Sequence, residues 1–247
     1  ALKRRNHVLA QMFKQHMINE ADYQTALAAP ITAKRHGPHV VVNAPYVAEM
    51  IRQIMVKKFG AHSAYNGGLS VYSTIDTPRQ IAANQALLKG LLAYDKRHGF
   101  RAPSMNLKTL LNTDLFDAWQ HALKKMPTIP SLLPAVMVSC SNKQAVTLLA
   151  DGQLITLSTH QAEWALQHNN LGYRLLQPRT FEQILNPGDV VYLSHNTKND
   201  WYLSQLPHVQ GALISLDPKT GHIQSLVGGL SYPLSHFNRA TQAWRQS

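Results

Sequence analysis

Two short strings carry residue types that occur in serine acyl-transfer chemistry. Ser194-His195-Asn196 fits the pattern Ser-x-Asn, and Lys219-Thr220-Gly221 fits the pattern Lys-Thr-Gly. Such chemistry also needs a nucleophilic serine with a lysine three residues later, and no serine in the chain has one. The Lys-Thr-Gly string, moreover, lies where Asp, Pro and Gly predict a turn rather than a strand. We therefore expect neither string to be catalytic.

Metal and cofactor signatures are also missing from the sequence. There is no CxxC, HExxH, GxGxxG or P-loop string. His160, Glu163 and His168 lack the i, i+4 spacing that places two ligands on one helix face. Cys140 is the single cysteine, which excludes a disulfide within the chain. We expect no catalytic, cofactor-binding or metal-binding residue in these 247 residues.

The composition indicates a folded, basic protein. With 45% hydrophobic and 15% charged residues the chain can bury a core, and no apolar run approaches the ~20 residues that cross a bilayer. The formal net charge is +11 with histidine counted neutral. This charge suits nucleic acid, anionic lipid headgroups or an acidic polymer, or it is only a solvated surface, because the basic residues are scattered and form no tail.

The first part of the chain, which precedes these strings, is predicted to be helical. Apolar spacing predicts a helix from Leu2 to Met17 and a second one capped by Asn19 and stopped at Ala29-Pro30. An extended linker over 31–43 follows, and Pro45 opens a third helix.

Alternating residues then predict a half-buried strand over 69–75. The next helix begins with Thr77 as its cap, Pro78 at the first position and Gln80 completing a capping box.

The second half of the chain predicts mainly strands. One helix over 107–126 precedes five short strands, at 135–141, 145–150, 154–157, 190–194 and 201–206. A helix over 161–168 and another capped by Thr180 with Gln183 interrupt them. This pattern favours a small closed or partly open barrel of the OB type. A hairpin of strands 212–216 and 222–227 follows, so the fold class is α+β.

Four stretches carry a resemblance to a known family. They are APYVAEMIRQ at 44–53, LSVYSTIDTPRQIAANQAL at 69–87, YDKRHGFR at 94–101 and FNRATQA at 237–243 followed by Arg245-Gln246. Together they resemble the class A penicillin-binding proteins, which are bifunctional peptidoglycan glycosyltransferases and transpeptidases. The segment 94–101 is similar to the 1A type of Gram-negative bacteria in particular.

This resemblance implies a domain plan. Residues 1–65 would be the end of the glycosyltransferase domain and linker helices, and 66–99 the start of the transpeptidase domain. Residues 100–208 would be an inserted OB-like regulatory domain, and 209–247 the transpeptidase strands that lead to the nucleophile. The family usually has Pro at the position of Ser247. Its Ser-x-x-Lys motif is expected just after this residue, and its other motifs follow the nucleophilic serine of Ser-x-x-Lys. The chain alone is therefore expected to be inactive.

The resemblance also implies a setting and partners. The parent protein would be anchored by an N-terminal helix on the periplasmic side of the inner membrane. The OB-like part would meet an outer-membrane lipoprotein activator or the peptidoglycan glycan.

An alternative hypothesis is a non-catalytic OB-like module for a protein partner or single-stranded nucleic acid. Its binding face would consist of aromatic and basic residues, namely Tyr173, Tyr192, Trp201, Tyr202, Arg174 and Arg179. We do not expect nucleic acid to be the partner.

Overall fold

The structure is a computed structural model, and it describes residues 2–31, 40–112, 115–127, 129, 131–169, 171–196 and 200–244. The chain divides into two compact units, residues 1–40 and 41–247. In the described part, no helix is long and apolar enough to cross a membrane.

The first unit is a pair of helices, α1 (Leu2–Lys14) and α2 (Glu20–Ala28). The predicted first helix is shorter than expected, because His16 takes a positive φ of 55° just beyond it. Asn19 caps α2 as predicted, since its side chain accepts the N–H of Asp22 at 2.8 Å. Most of the predicted linker, residues 32–39, lies outside the described residues.

Two long helices open the second unit, α3 (Pro45–Asn66) and α4 (Thr77–Arg97). Helix α3 begins at a proline as predicted and is kinked at Gly60. The predicted cap of α4 was wrong by one residue, because Asp76 rather than Thr77 accepts the N–H of Arg79, at 3.0 Å. The predicted capping box is absent too, since the Gln80 side chain points to a strand instead.

The strand predicted over 69–75 does not form. The segment is extended and lies mostly in solvent, with Tyr72 94% exposed. Only its end pairs: the Thr74 hydroxyl donates to the Ile223 carbonyl at 2.7 Å, and the Asp76 N–H donates to the Gln224 carbonyl at 2.9 Å. The alternation failed as a predictor because a strand needs a partner along its length. The end of the segment therefore lies beside residues 223–224.

The predicted five-stranded OB-like sheet is confirmed. Its strands are β1 (Leu133–Cys140), β2 (Gln144–Leu149), β3 (Leu154–Ser158), β4 (Val190–His195) and β5 (Trp201–Ser204). They are antiparallel in the order β3-β2-β1-β4-β5, and the sheet curls so that β3 and β5 approach each other. The result is half of a barrel rather than a closed one.

Short helices cover the two faces of this sheet. Helices α5 (Leu107–Leu111) and α6 (Phe116–Leu123) replace the single helix predicted over 107–126, because Asn112 adopts the left-handed conformation. A 3-10 turn (Thr159–Ala162) leads into α7 (Glu163–Leu166). Helix α8 (Phe181–Ile184) has the predicted Thr180–Gln183 capping box.

Each face of the sheet has its own apolar core. The larger core joins the inner face to α7 and α8, and its fully buried members include Met137, Leu157, Phe181, Leu193 and Leu203. The smaller core joins the other face to α5 and α6 through Leu107, Trp119, Leu123, Val136 and Leu148. Apolar side chains alternate along β3 and β4 because successive residues face opposite sides.

The predicted hairpin follows, with strands β6 (Leu213–Leu216) and β7 (Ile223–Val227). Strand β7 packs on α4 and carries the buried side of the hairpin, with Leu226 1% exposed. The fold is therefore α+β, as predicted.

Candidate functional site

The run Phe237–Gln242, part of the string that resembles a penicillin-binding protein, rests against the end of β7. The Arg239 N–H donates to the Gly228 carbonyl at 2.9 Å. A Cβ at Gly228 would lie 2.4 Å from Asn238 Oδ1 and 2.7 Å from Tyr46 Cδ1. Only glycine leaves room for this approach of the two backbone segments.

Asn238 fixes the turn that this run makes, and it is only 6% exposed. Its Oδ1 accepts the Ala240 N–H at 3.1 Å, and its own N–H donates to Gln242 Oε1 at 2.7 Å. Its Nδ2 lies 3.3 Å from the Met50 sulfur on α3. Asn238 thus acts as both acceptor and donor within the turn, and its contact with Met50 connects the turn to α3.

Tyr46, on the first turn of α3, is the second support. It is 3% exposed, and its hydroxyl donates to the Ser235 carbonyl at 2.8 Å. Burial raises the pKa of Tyr46, and the positive charge of the nearby Arg239 guanidinium partly offsets that rise. The phenol is therefore a neutral donor that positions backbone, and it is unsuited to be a general base.

A second polar cluster lies where the OB-like domain joins α4, and Asp95 is its centre. This carboxylate is 2% exposed and receives both Arg101 guanidinium nitrogens, at 2.8 and 2.9 Å. Gln205 Nε2 donates to the same carboxylate at 2.6 Å. A bidentate arginine pair of this kind is geometrically demanding, so it fixes the orientation of both partners.

The same cluster also joins the two chain segments by which the OB-like domain is connected to the rest of the protein. The Arg101 N–H donates to Gln205 Oε1 at 3.0 Å, and Gln205 Nε2 also reaches the Gly99 carbonyl at 3.0 Å. Arg101 Nη2 additionally donates to the Leu206 carbonyl at 2.8 Å. Segments 99–101 and 205–206 are thereby held to each other and to α4.

A cleft of about 700 Å³ lies between α3, α4 and β7. Amides, hydroxyls and apolar groups line it, including Asn84, Gln85, Ser131, Leu226 and Tyr232. No Asp, Glu, Lys, Arg or His is among the described residues that line the cleft. The described lining residues therefore include no carboxylate–imidazole or serine–lysine pair for acid–base or nucleophilic catalysis.

The two strings that resemble acyl-transfer motifs lie at the end of a strand and in a hairpin turn. Ser194 and His195 end β4, where the His195 ring contacts Trp201. Lys219, Thr220 and Gly221 occupy the hairpin turn, as predicted from Asp217 and Pro218. Their placement at a strand end and in a turn provides no serine–lysine nucleophile pair.

No group of metal-ligating side chains occurs among the described residues. His160 lies 4.0 Å from a Glu163 carboxylate oxygen, and both side chains are exposed. His168 instead uses its Nδ1 on the Trp164 carbonyl at 3.1 Å. The three residues therefore do not converge.

The aromatic and basic residues that would form the binding face of the alternative hypothesis do not lie on one surface. Strand register places Tyr192 and Tyr202 on one face of the sheet, and Trp201 on the other, against the larger core. Tyr173 lies in a separate exposed loop, and Arg179 donates to the Ala165 and His168 carbonyls. The nucleic-acid alternative is not favoured.

Sequence reasoning missed the residues that organise this part of the molecule. The sequence predicts that Gln80 completes a capping box with Thr77, and it marks none of Asp95, Arg101 and Gln205 as members of a polar cluster. The only available signal was an acidic residue next to two basic ones at the end of an apolar helix. That pattern is far more common on solvated surfaces.

Comparison with known proteins adds a family assignment to this geometry. Residues 100–209 match a model described as the penicillin-binding protein OB-like domain. The chain is 36% identical to penicillin-binding protein 1A of Escherichia coli K12, covering 100% of this chain and 29% of that protein. It is 37% identical to penicillin-binding protein 1A of Pseudomonas aeruginosa, and the match covers 99% of this chain and 29% of that protein.

A solved structure agrees with these relatives. The crystal structure of penicillin-binding protein 1A from Haemophilus influenzae superposes with a TM-score of 0.74 at 33% identity, covering 98% of this chain and 34% of that one. The chain thus spans about a third or less of the length of each protein that it matches.

Proposed function

Since the chain belongs to the class A penicillin-binding proteins of the 1A type, we propose that it is the linker and regulatory part of a bifunctional peptidoglycan synthase. The whole enzyme polymerises lipid II into glycan strands and cross-links their stem peptides through an acyl-enzyme serine. The observation that carries this proposal is 36% identity over the whole chain to penicillin-binding protein 1A of Escherichia coli.

Within that enzyme the described residues have a supporting role. The frame of Tyr46, Gly228 and Asn238 holds the backbone of the run that the family places just before its nucleophile. A nucleophile gains reactivity from fixed orientation, so rigid backbone upstream of it contributes to catalysis without taking part in it.

The OB-like domain is the regulatory part of the proposal. Its two connecting segments are joined to α4 through the Asp95 cluster, and its Ser131 lines the cleft beside α4 and β7. We assign it the docking of an outer-membrane lipoprotein activator or of the glycan, on the periplasmic side of the inner membrane, with the parent protein anchored in that membrane.

Fluorescent penicillin tests the proposal. The chain alone should show no covalent label, whereas the longer product of the same gene should be labelled at a serine that follows residue 247. Replacing that serine by alanine should abolish the label. A reading frame without a Ser-x-x-Lys after Ser247, or a longer product that is never labelled, would refute the synthase assignment.

A further inference from the structure

We propose that α4 is a rigid strut that couples the OB-like domain to the run Phe237–Gln242, with Asp95 and Gln80 as its two fixed ends. The inference deepens the proposed function, on which its regulatory meaning rests. Both residues act on backbone and on other side chains, so they are positioning residues.

The end near the OB-like domain is Asp95. The four described hydrogen bonds of its carboxylate all come from segments that enter or leave that domain. Arg101 supplies two and Gln205 one, and the His208 N–H donates the fourth at 3.3 Å. Because the carboxylate is 2% exposed, no water can easily replace a lost partner. If the domain and its connecting segments shift relative to α4, they must therefore move Asp95 or break this cluster.

The other end is Gln80, which is fully buried on the first turn of α4. It accepts the Leu226 N–H at 2.9 Å and donates to the Leu226 carbonyl at 3.0 Å. These two bonds attach α4 to β7 as a neighbouring strand would be attached. Movement of this end of the helix is therefore transferred to the backbone of β7.

Between its ends α4 is an uninterrupted helix. Fifteen residues separate Gln80 from Asp95, which corresponds to about 22 Å of helix. Packing of α4 against β7 and β6 supports the helix on one side. A helix held at both ends and on one side moves as a body rather than bending locally.

Strand β7 then leads directly to the run Phe237–Gln242. Two residues beyond Leu226, the Gly228 carbonyl accepts the Arg239 N–H at 2.9 Å, and Asn238 packs against the Gly228 Cα. The connection from Asp95 to Asn238 thus runs through helix α4, the two buried Gln80 bonds, the backbone of β7 and the bond between Arg239 and Gly228. A continuous path of bonded and packed groups of this kind can carry coupling between two sites.

Hydrogen exchange of the 247-residue chain tests the strut. Asp95→Asn should speed exchange of the Leu226 and Arg239 amides about fivefold or more, while amides of β2 keep their rates. The matched control is Thr147→Val, which removes a buried bond to the Ile155 carbonyl inside the OB-like sheet. That control should leave the exchange rates of the Leu226 and Arg239 amides unchanged.

A double variant separates transmission through α4 from a general loss of stability. If the strut is right, Asp95→Asn causes no further acceleration at Arg239 once Gln80→Met has cut the link to β7. Additive effects in the double variant would overturn the proposal, and so would equal acceleration of Leu148 in β2 by Asp95→Asn alone. In that last case Asp95 would only hold the fold together.

Acylation of the longer gene product by fluorescent penicillin links the strut to catalysis. Asp95→Asn should slow acylation several-fold, with a smaller effect on reversible binding, because orientation rather than contact is lost. Unchanged acylation in this variant would overturn the catalytic meaning of the strut. If the unaltered protein shows no acylation at all, the proposed function fails, and the exchange experiment still decides whether α4 couples the two ends.

Discussion

Gln80 and Leu226 are bonded as if the glutamine side chain were a short piece of strand. The Leu226 N–H donates to Gln80 Oε1 at 2.9 Å, and Gln80 Nε2 returns a bond to the Leu226 carbonyl at 3.0 Å. Both residues are almost completely buried. One carboxamide thus satisfies a donor and an acceptor of β7 that face a helix and not another strand.

Gln80→Met should destabilise the chain by about 2–4 kcal/mol, because it leaves a buried N–H and a buried carbonyl without partners while keeping the side-chain volume. Urea denaturation followed by circular dichroism measures the change. Gln85→Met is the matched control, since Gln85 is exposed on the same helix, and should stay within about 0.5 kcal/mol. Equal effects of the two substitutions would contradict the role assigned to the Gln80 bonds.

Two glycines should respond to alanine in opposite directions. Gly90 lies inside α4, where an added Cβ meets no atom within 4 Å, so Gly90→Ala should stabilise the chain by roughly 0.5–1 kcal/mol. At Gly228 the same methyl group would collide with Asn238 and Tyr46, so Gly228→Ala should destabilise by about 1–3 kcal/mol.

Thermal unfolding of both variants measures this pair of effects. Because the same group is added twice, differences in the unfolded chain largely cancel. Gly228→Ala should also shift the NMR signals of Asn238 and Arg239, whereas Gly90→Ala should not. A stable Gly228→Ala protein with unshifted signals would show that the contact between β7 and the run 237–242 is not required.

Periodicity and turn residues predicted most of the elements. Strands β3 and β4 alternate because one face is more deeply buried. Strands β1 and β2, around Met137 and Leu148, are nearly continuously buried because both faces are covered, and a local pattern records either kind of burial. The hairpin turn at Asp217 and the caps at Asn19 and Thr180 are also local, since each bond spans only a few residues.

The failures are long-range. The sequence predicts that Gln80 completes a capping box with Thr77, because Glu or Gln three residues after a cap commonly does so, yet its partner Leu226 lies 146 residues away. Asp95 and Gln205 are 110 residues apart, and nothing local distinguishes them from solvated polar residues. Segment 69–75 had the alternation of a strand but found pairing only at its end, at Thr74 and Asp76. Tertiary partners decided each case.

Cys140 should react slowly with iodoacetamide in the folded chain. Burial raises the pKa of its thiol, and the carboxylates of Glu182 and Asp189 raise it further, so little thiolate is present near neutral pH. Its Sγ also lies 3.5 Å from the Leu185 carbonyl as a donor. Mass spectrometry at pH 7.5 should show alkylation at least about tenfold slower than in the guanidinium-unfolded chain. Similar rates in both states would mean that the thiol is open to solvent.

Asp217 makes the hairpin turn sensitive to acid. Its Oδ1 accepts the Lys219 N–H at 2.8 Å and the Thr220 N–H at 3.0 Å, and these bonds hold the pKa of the carboxyl below the ordinary aspartate value. A depressed folded pKa means that the carboxylate stabilises the turn above the unfolded pKa. That contribution is lost as the pH falls through the folded pKa.

NMR titration of the Asp217 carboxyl should therefore give a midpoint below the ordinary aspartate value, and the Thr220 and Gly221 amide signals should move with the same midpoint. Asp217→Asn keeps an oxygen acceptor but cannot ionise, so the amide signals should then lose this acid transition while the hairpin persists. A midpoint at or above the ordinary value, or an unchanged transition in Asp217→Asn, would show that another group controls the turn. The Lys-Thr-Gly string at 219–221 would in either case remain part of a turn whose backbone donors serve the neighbouring carboxylate, as the bonds to Asp217 show.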